Sequence, residues 1–478
     1  MANLFDVLTA NAIPSAPFLE RPDGTVDAYA DLMAQTARLA NALVARGLRP
    51  GDRVAAQLEK TPENLYLYLA TVRAGAVFLP LNTAYTDAEV DYFVSDAEPR
   101  LLVRDDTLAE LAEEARGFAP EFDTVAREPD DLAAICYTSG TTGRSKGAML
   151  THANLASNAA TLTKLWRFTA DDVLIHALPI YHVHGLFVAT NVVLSAGASM
   201  IFRSKFDAAE VLSLFPRATA LMGVPTFYTR LLAQPGLTRE AAAHMRVFIS
   251  GSAPLLADIH REWAERTGTA ILERYGMTET GMNTSNPYDG ERVAGTVGFP
   301  LPDVALRIAD PDTGRVLPRG EIGVIEVKGP NVFAGYWRMP DKTAAEFRAD
   351  GFFITGDLGR IDERGYVHIV GRGKDLIISG GLNVYPKEVE TEIDALPGVV
   401  ESAVVGLSHP DLGEAVTAVI AAAPGSILTE AEVLSALSAR LAKYKQPKRV
   451  LFVEDLPRNA MGKVQKALLR QQYAKLYA

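Results

Sequence analysis

Tyr137-Thr138-Ser139-Gly140-Thr141-Thr142-Gly143-Arg144-Ser145-Lys146-Gly147 decides how the rest of this chain is read. Within eleven residues it holds five Thr and Ser hydroxyls, three glycines and two cations. The apolar run Leu132-Ala133-Ala134-Ile135-Cys136 precedes it and reads as a buried strand. A glycine-rich loop leaving a strand can turn backbone N–H groups inward, because glycine tolerates positive φ and close approach. Such a concavity binds anions, and phosphate suits hydroxyls, bare amides and a lysine together. The pattern differs from the Walker loop, since Lys146 is followed by Gly147 rather than Ser or Thr. For the glycines and hydroxyls alone, a polar surface loop is the competing reading.

Outward from this loop, strand and helix patterns alternate. Residues 26–48 repeat their apolar positions at helical spacing, 53–58 read as a strand, 63–74 as a helix and 76–81 as another strand. That alternation predicts an α/β protein with doubly wound parallel sheets. The acidic, alanine-rich segment 104–127 reads as a surface helix and connection. Residues 245–250 form a strand that runs into the small-residue turn Gly251-Ser252-Ala253-Pro254, with a helix over 255–266. Residues 270–279 read as a strand ending in a polar turn. Residues 320–328 alternate like a half-exposed strand of a smaller β subdomain. A boundary at Gly373-Lys374-Asp375 would separate a large domain, 1–373, from a small mobile α+β domain, 374–478. In the small domain Pro386 suits a first helical turn, with Glu388 and Glu390 near its positive end.

The chain has 478 residues, enough for two to four domains, and ordinary globular composition at 48% apolar and 22% charged. A formal net charge of −11 excludes a nucleic-acid footprint and a polybasic membrane anchor. The single cysteine, Cys136, rules out a disulfide framework and fits a reducing compartment; its apolar neighbours make it a small core residue. The N-terminus has no basic, apolar or Arg-rich leader pattern, and the uncharged stretch 185–202 reads as a buried helix followed by a strand rather than a membrane span. A soluble, cytoplasmic protein without membrane or nucleic-acid partners is expected; its oligomeric state is left open.

The loop as a whole resembles the signature of the adenylate-forming enzymes, the superfamily of acyl-CoA synthetases, luciferases and peptide-synthetase adenylation domains. Three further segments carry the same resemblance: Glu273-Arg274-Tyr275-Gly276-Met277-Thr278-Glu279, Thr355-Gly356-Asp357 and Leu456-Pro457-Arg458-Asn459-Ala460-Met461-Gly462-Lys463. The resemblance implies that Thr138, Ser139, Gly140, Thr141, Thr142, Gly143 and Lys146 hold the ATP phosphates. It places adenine against Gly251, Ser252, Ala253 and Pro254 and against the segment Glu273 to Thr278. Asp357 would take the ribose, Arg372 would belong to the ATP site, and Mg²⁺ would lie at Thr138 and Glu279. Lys463 would be the C-terminal catalytic lysine, Lys374 the hinge, and Gly380 and Gly381 the lining of a channel for CoA. A carboxylate suits ribose because it accepts from two hydroxyls, and Mg²⁺ takes oxygen ligands.

Two features concern the acid. Neighbours on a strand face opposite sides, so Glu273 and Arg274 cannot share one solvent face. An arginine turned into an acyl pocket is costly without an anion and suited to a second carboxylate; a structural salt bridge with Glu273 or another carboxylate is the alternative. His182 and His184 stand at strand spacing and would share a face, without a third zinc ligand in view. The resemblance places His182, Val183, Ser250, Met277 and Arg274 around the acid, with His182 counted among the catalytic groups. It is closest to the malonyl-CoA synthetases, with Val183 where Thr is expected. The expected activity is therefore ligation of malonate to CoA through an acyl-adenylate; methylmalonate or another short acid, and a carrier-protein thiol as acceptor, are alternatives.

Overall fold

Short uncharged apolar runs become strands buried on both faces, and the amphipathic segments between them become covering helices. The computed structural model describes residues 3–138, 145–380, 382–459 and 462–477. The chain divides into two compact units, Met1–Leu306 with Val327–Phe353, and Arg307–Glu326 with Ile354–Ala478. The architecture is α/β with several sheets, as the alternation predicts.

In the first unit one sheet runs in the order Gly335–Tyr336, Lys146–Thr151, Leu132–Thr138, Val77–Pro80, Arg53–Ala56, Leu101–Val103. Helix Pro62–Arg73 has Thr61 as N-cap and Pro62 in its first turn, and carries the chain between two parallel strands. Strands Leu132–Thr138 and Lys146–Thr151 are antiparallel, with Thr138 opposite Lys146. The two ends of the glycine and hydroxyl loop therefore meet across one sheet. A second sheet has a parallel centre formed by Leu272–Met277, Val247–Ser250, Ala220–Gly223, Val173–His176 and Ser199–Phe202.

Two expectations need correction. Residues 26–48 are not one helix: Val26–Ala28 pairs with Pro17–Glu20, and the helix is Tyr29–Ala45. The apolar spacing cannot separate a three-residue strand from a helix that follows it. Residues 270–279 do hold a strand that ends in a turn, as expected, and the chain then reverses. Strand Leu272–Met277 folds back onto Gly281–Ser285 as a hairpin, and a Cβ on Gly276 would lie 2.0 Å from the Gly281 carbonyl oxygen. Strand Gly323–Lys328 is buried except at Lys328. Its polar position, Glu326, is fully buried and ion-paired with Arg307 at 2.8 Å, which removes the need for a solvent face.

Strands Gly323–Lys328, Phe353–Ile361 and Val367–Arg372 share one sheet, most of whose residues fall in the second unit. A further sheet is built on Val399–His409 and Gly413–Ala422, flanked by Ile377–Ser379, Leu382–Val384 and Arg449–Val453. Alternate residues of the long hairpin feed two cores. Val404, Val416 and Ile420 pack with Ile393 and Val433, while Val405, Leu407 and Val419 pack with Leu456 and Leu469. Lys374 lies in the short turn Gly373–Asp375. Among the described residues, no helix is long and apolar enough to cross a membrane.

Candidate active site

Lys146 begins its strand where the signature loop ends, and the hydroxyl of Tyr92 donates to the Ser145 carbonyl to fix that end. Ser139, Gly140, Thr141, Thr142 and Gly143 lie outside the described residues, as does Gly381. Lys146 Nζ is 3.1 Å from Glu346 Oε1 and 4.0 Å from the centre of the Tyr336 ring. The Tyr336 hydroxyl reaches Glu279 Oε1 at 3.0 Å and Glu346 Oε2 at 2.7 Å. Burial opposes ionisation of Glu346, but hydrogen bonds from Tyr336 and Lys342 and the charge of Lys146 hold its pKa below the ordinary value. Thr138 Oγ1 donates to the Lys146 carbonyl at 3.4 Å. Glu279 acts electrostatically on Cys136, whose thiol is pushed up to about 12, chiefly by burial. Hard oxygen donors at Thr138 and Glu279 fit Mg²⁺, which favours carboxylate and phosphate oxygens.

The sequence reading missed Tyr336 and Glu346. Tyr336 sits on the edge strand beside Lys146–Thr151, held by the Trp337 N–H to the Gly147 carbonyl at 2.7 Å. Its only sequence signal is the aromatic run Phe333-Ala334-Gly335-Tyr336-Trp337. Glu346, in an exposed-looking acidic stretch, has none.

The turn after Val247–Ser250 abuts Arg274: a Cβ on Gly251 would lie 2.4 Å from its Cζ. Ser252 takes φ +71°, and its Oγ is 3.2 Å from His184 Nδ1. Ser250 faces Glu273 across the parallel register, so the next residue, Arg274, points to the other side. Arg274 is 3% exposed, and its Nε and Nη2 have no hydrogen-bond partner. Burial pulls its pKa down to about 9, with only Tyr228 acting against it. No carboxylate ion-pairs with Arg274 among the described residues, which removes the salt-bridge alternative. Ser250 Oγ and His184 Nε2 are likewise buried without partners. Ser250 Oγ lies on the Glu273 side of the sheet, so the cation and the two polar atoms are unsatisfied among the described residues without all sharing one face.

His182 and His184 do not share a strand face. Residues His184–Thr190 form a π-helix, and the His184 N–H donates to His182 Nδ1 at 3.1 Å, capping its start. The preceding strand ends at His176, and Gly185 is required because a Cβ there would lie 2.2 Å from the Pro179 carbonyl oxygen. Burial holds His184 well below its ordinary pKa, reinforced by Arg274, His182 and His176. No cluster of three metal-ligating side chains exists among the described residues. Val183 is buried, lining a small cavity with Leu150, Phe187, Val188 and Gly281. Met277 pairs with Gly281 at the hairpin end, and Tyr275 and Thr278 flank the same bend. Beneath the π-helix, His176 Nε2 lies 2.9 Å from the Gly185 carbonyl, and the buried Lys60 lies 3.0 Å from His176 Nδ1. Nothing in their sequence surroundings marks these two residues.

In the second unit, Asp357 ion-pairs with Arg372 at 3.0 Å across adjacent strands. Lys463 belongs to the same group. Burial lowers its pKa to about 8, helped by Arg372 and Lys374 and opposed by Asp357 and Asp375. Gly380 takes φ +58° in the turn between Ile377–Ser379 and Leu382–Val384.

The family model described as AMP-binding enzyme matches residues 9–337, and that of the AMP-binding enzyme C-terminal domain matches 388–463. A feruloyl-CoA synthase of Amycolatopsis is 39% identical over 471 residues, covering 95% of each chain. A malonate–CoA ligase of Arabidopsis thaliana is 35% identical, over 89% of this chain and 78% of its own. The crystal structure of ATP-bound MatB from Rhodopseudomonas palustris is 62% identical with a TM-score of 0.97, covering 100% of this chain and 99% of that one.

Proposed function

We propose a function from one premise: this chain belongs to the AMP-binding enzyme family and is a CoA ligase of the adenylate-forming kind. The acid it activates is a short dicarboxylate, malonate first. The relatives differ in their acids, so their names do not choose one. The buried guanidinium of Arg274 carries the choice. A cation left without a carboxylate in a dry interior is costly, and a substrate with a second carboxylate offsets that cost. His184 Nε2 would complete the recognition, with His182, Val183, Ser250 and Met277 as the wall around the acid.

The reaction has two halves. The reacting carboxylate attacks the α-phosphorus of ATP, forming an acyl-adenylate and pyrophosphate; the CoA thiol then attacks the activated carbonyl, and AMP leaves. A carboxylate needs no base for the first attack, so the protein positions the groups and neutralises charge. Lys146 and the signature loop hold the departing phosphates. Thr138 and Glu279 would hold Mg²⁺, which supplies further positive charge there. Gly251 to Pro254, with Tyr275 and Gly276, carry adenine, Asp357 and Arg372 carry ribose, and Lys463 bridges carboxylate and α-phosphate. Lys374 serves as the hinge that withdraws Lys463 before CoA enters along Gly380 and Gly381. A panel of mono- and dicarboxylic acids, scored by AMP formation with CoA, tests the assignment. Turnover of malonate far above butyrate supports it, and equal turnover refutes it.

A further inference from the structure

Lys146 has a carboxylate partner within the protein. Glu346 Oε1 lies 3.1 Å from its ammonium and 2.9 Å from Lys342 Nζ, where an anionic oxygen of a phosphate would also lie. The other oxygen of Glu346 accepts from the Tyr336 hydroxyl, which stands equally within reach of Glu279. A phenol has one hydrogen, so it serves one of these carboxylates at a time. The carboxylate is held in place by its surroundings. Glu346 closes the helix Pro340–Ala345, and the next residue, Phe347, packs on Phe333 and Phe353. Thr343 of that helix accepts from the Tyr336 N–H at 2.9 Å, joining the segment to the strand beside Lys146.

We propose that Glu346 is a positioning residue that acts as an internal competitor for Lys146. It occupies the ammonium in the unliganded enzyme, yields it to the polyphosphate, and reclaims it as pyrophosphate departs, while Tyr336 links the exchange to Glu279. Lys342 and Tyr336 receive the displaced carboxylate, so it is never left as a bare charge. An internal anion of this kind weakens the hold on pyrophosphate once the bond to the α-phosphate is broken, which favours release between the two half-reactions. The inference rests on reading Lys146 as a phosphate ligand.

Isothermal titration of the full chain with pyrophosphate, without divalent metal, tests it. Glu346→Gln should bind about fivefold more tightly than the wild type, the size expected for one partly exposed ion pair. Asp341→Asn makes the same charge change on the same helix at a solvent-exposed position, and should shift binding less than about twofold. In a Lys146→Ala background, Glu346→Gln should have no effect, because the competition has been removed. Glu346→Asp keeps the charge but withdraws it from Lys146; it should also tighten binding and guards against a folding failure of the glutamine variant. Unchanged or weaker binding by both Glu346 variants, or an equal gain from Asp341→Asn, overturns the proposal and leaves the function standing. Failure of the wild type to bind pyrophosphate or ATP overturns the phosphate reading itself.

Discussion

Arg274→Met should separate stability from substrate choice, because the guanidinium is unpaired in the free enzyme. Lowering an arginine from its ordinary value to about 9 corresponds to ~5 kcal/mol of penalty on the charged form. The folded pKa lies below the unfolded one, so the penalty is full below about pH 9 and fades as pH rises through 9 toward the ordinary arginine value. Methionine fills similar volume without charge, and exchanging a buried ion for an apolar residue commonly gains ~1–4 kcal/mol. The variant should therefore be more stable to urea at neutral pH than the wild type. Malonate should raise the melting temperature of the wild type and leave that of Arg274→Met unmoved. Loss of a buried charge-assisted contact worth about 3 kcal/mol should lower kcat/KM for malonate by ~150-fold, with butyrate far less affected. A variant that is less stable yet keeps the malonate preference would refute the reasoning, since Arg274 would then be a structural residue with an internal partner.

The other predictions follow from single groups. Lys463 must be charged to bridge two anions, and its pKa lies at about 8, so the adenylation half-reaction should decline as pH rises through about 8; pyrophosphate–ATP exchange against pH measures this. Lys463→Ala should abolish that exchange while still passing a supplied acyl-adenylate to CoA. Gly276→Ala puts a Cβ 2.0 Å from the Gly281 carbonyl oxygen, and should cost the fold about 3 kcal/mol or more in denaturant titration. His152 Nδ1 accepts the Leu4 N–H at 2.9 Å as a neutral imidazole, and burial lowers its pKa to about 4. Its stabilisation is complete above about pH 6.5 and lost as pH falls toward 4, ~3 kcal/mol at most, which His152→Gln should remove from the acid limb of the stability profile.

Read along the chain, the residues were sufficient for the alternation of strands and helices, the strand and turn that end at Glu279 and the asymmetry between Glu273 and Arg274. Each of these depends on local periodicity or on a short string whose chemistry is carried by neighbours in sequence. The two-sided strand rule alone sends Arg274 away from Glu273. Tertiary structure decided everything that depends on what is absent around a group or on partners far apart in the chain. That Arg274 has no carboxylate partner among the described residues, that Glu326 is buried with Arg307, and that His182 accepts the His184 N–H at the start of a π-helix instead of sharing a strand face with it are facts of packing. Glu346 lies 200 residues from Lys146, and no periodicity links them. Hydrophobic pattern reports which way a side chain faces, because burial is a property of one residue and its spacing. Electrostatic pairing is a property of two residues, and only the folded chain brings the second one near.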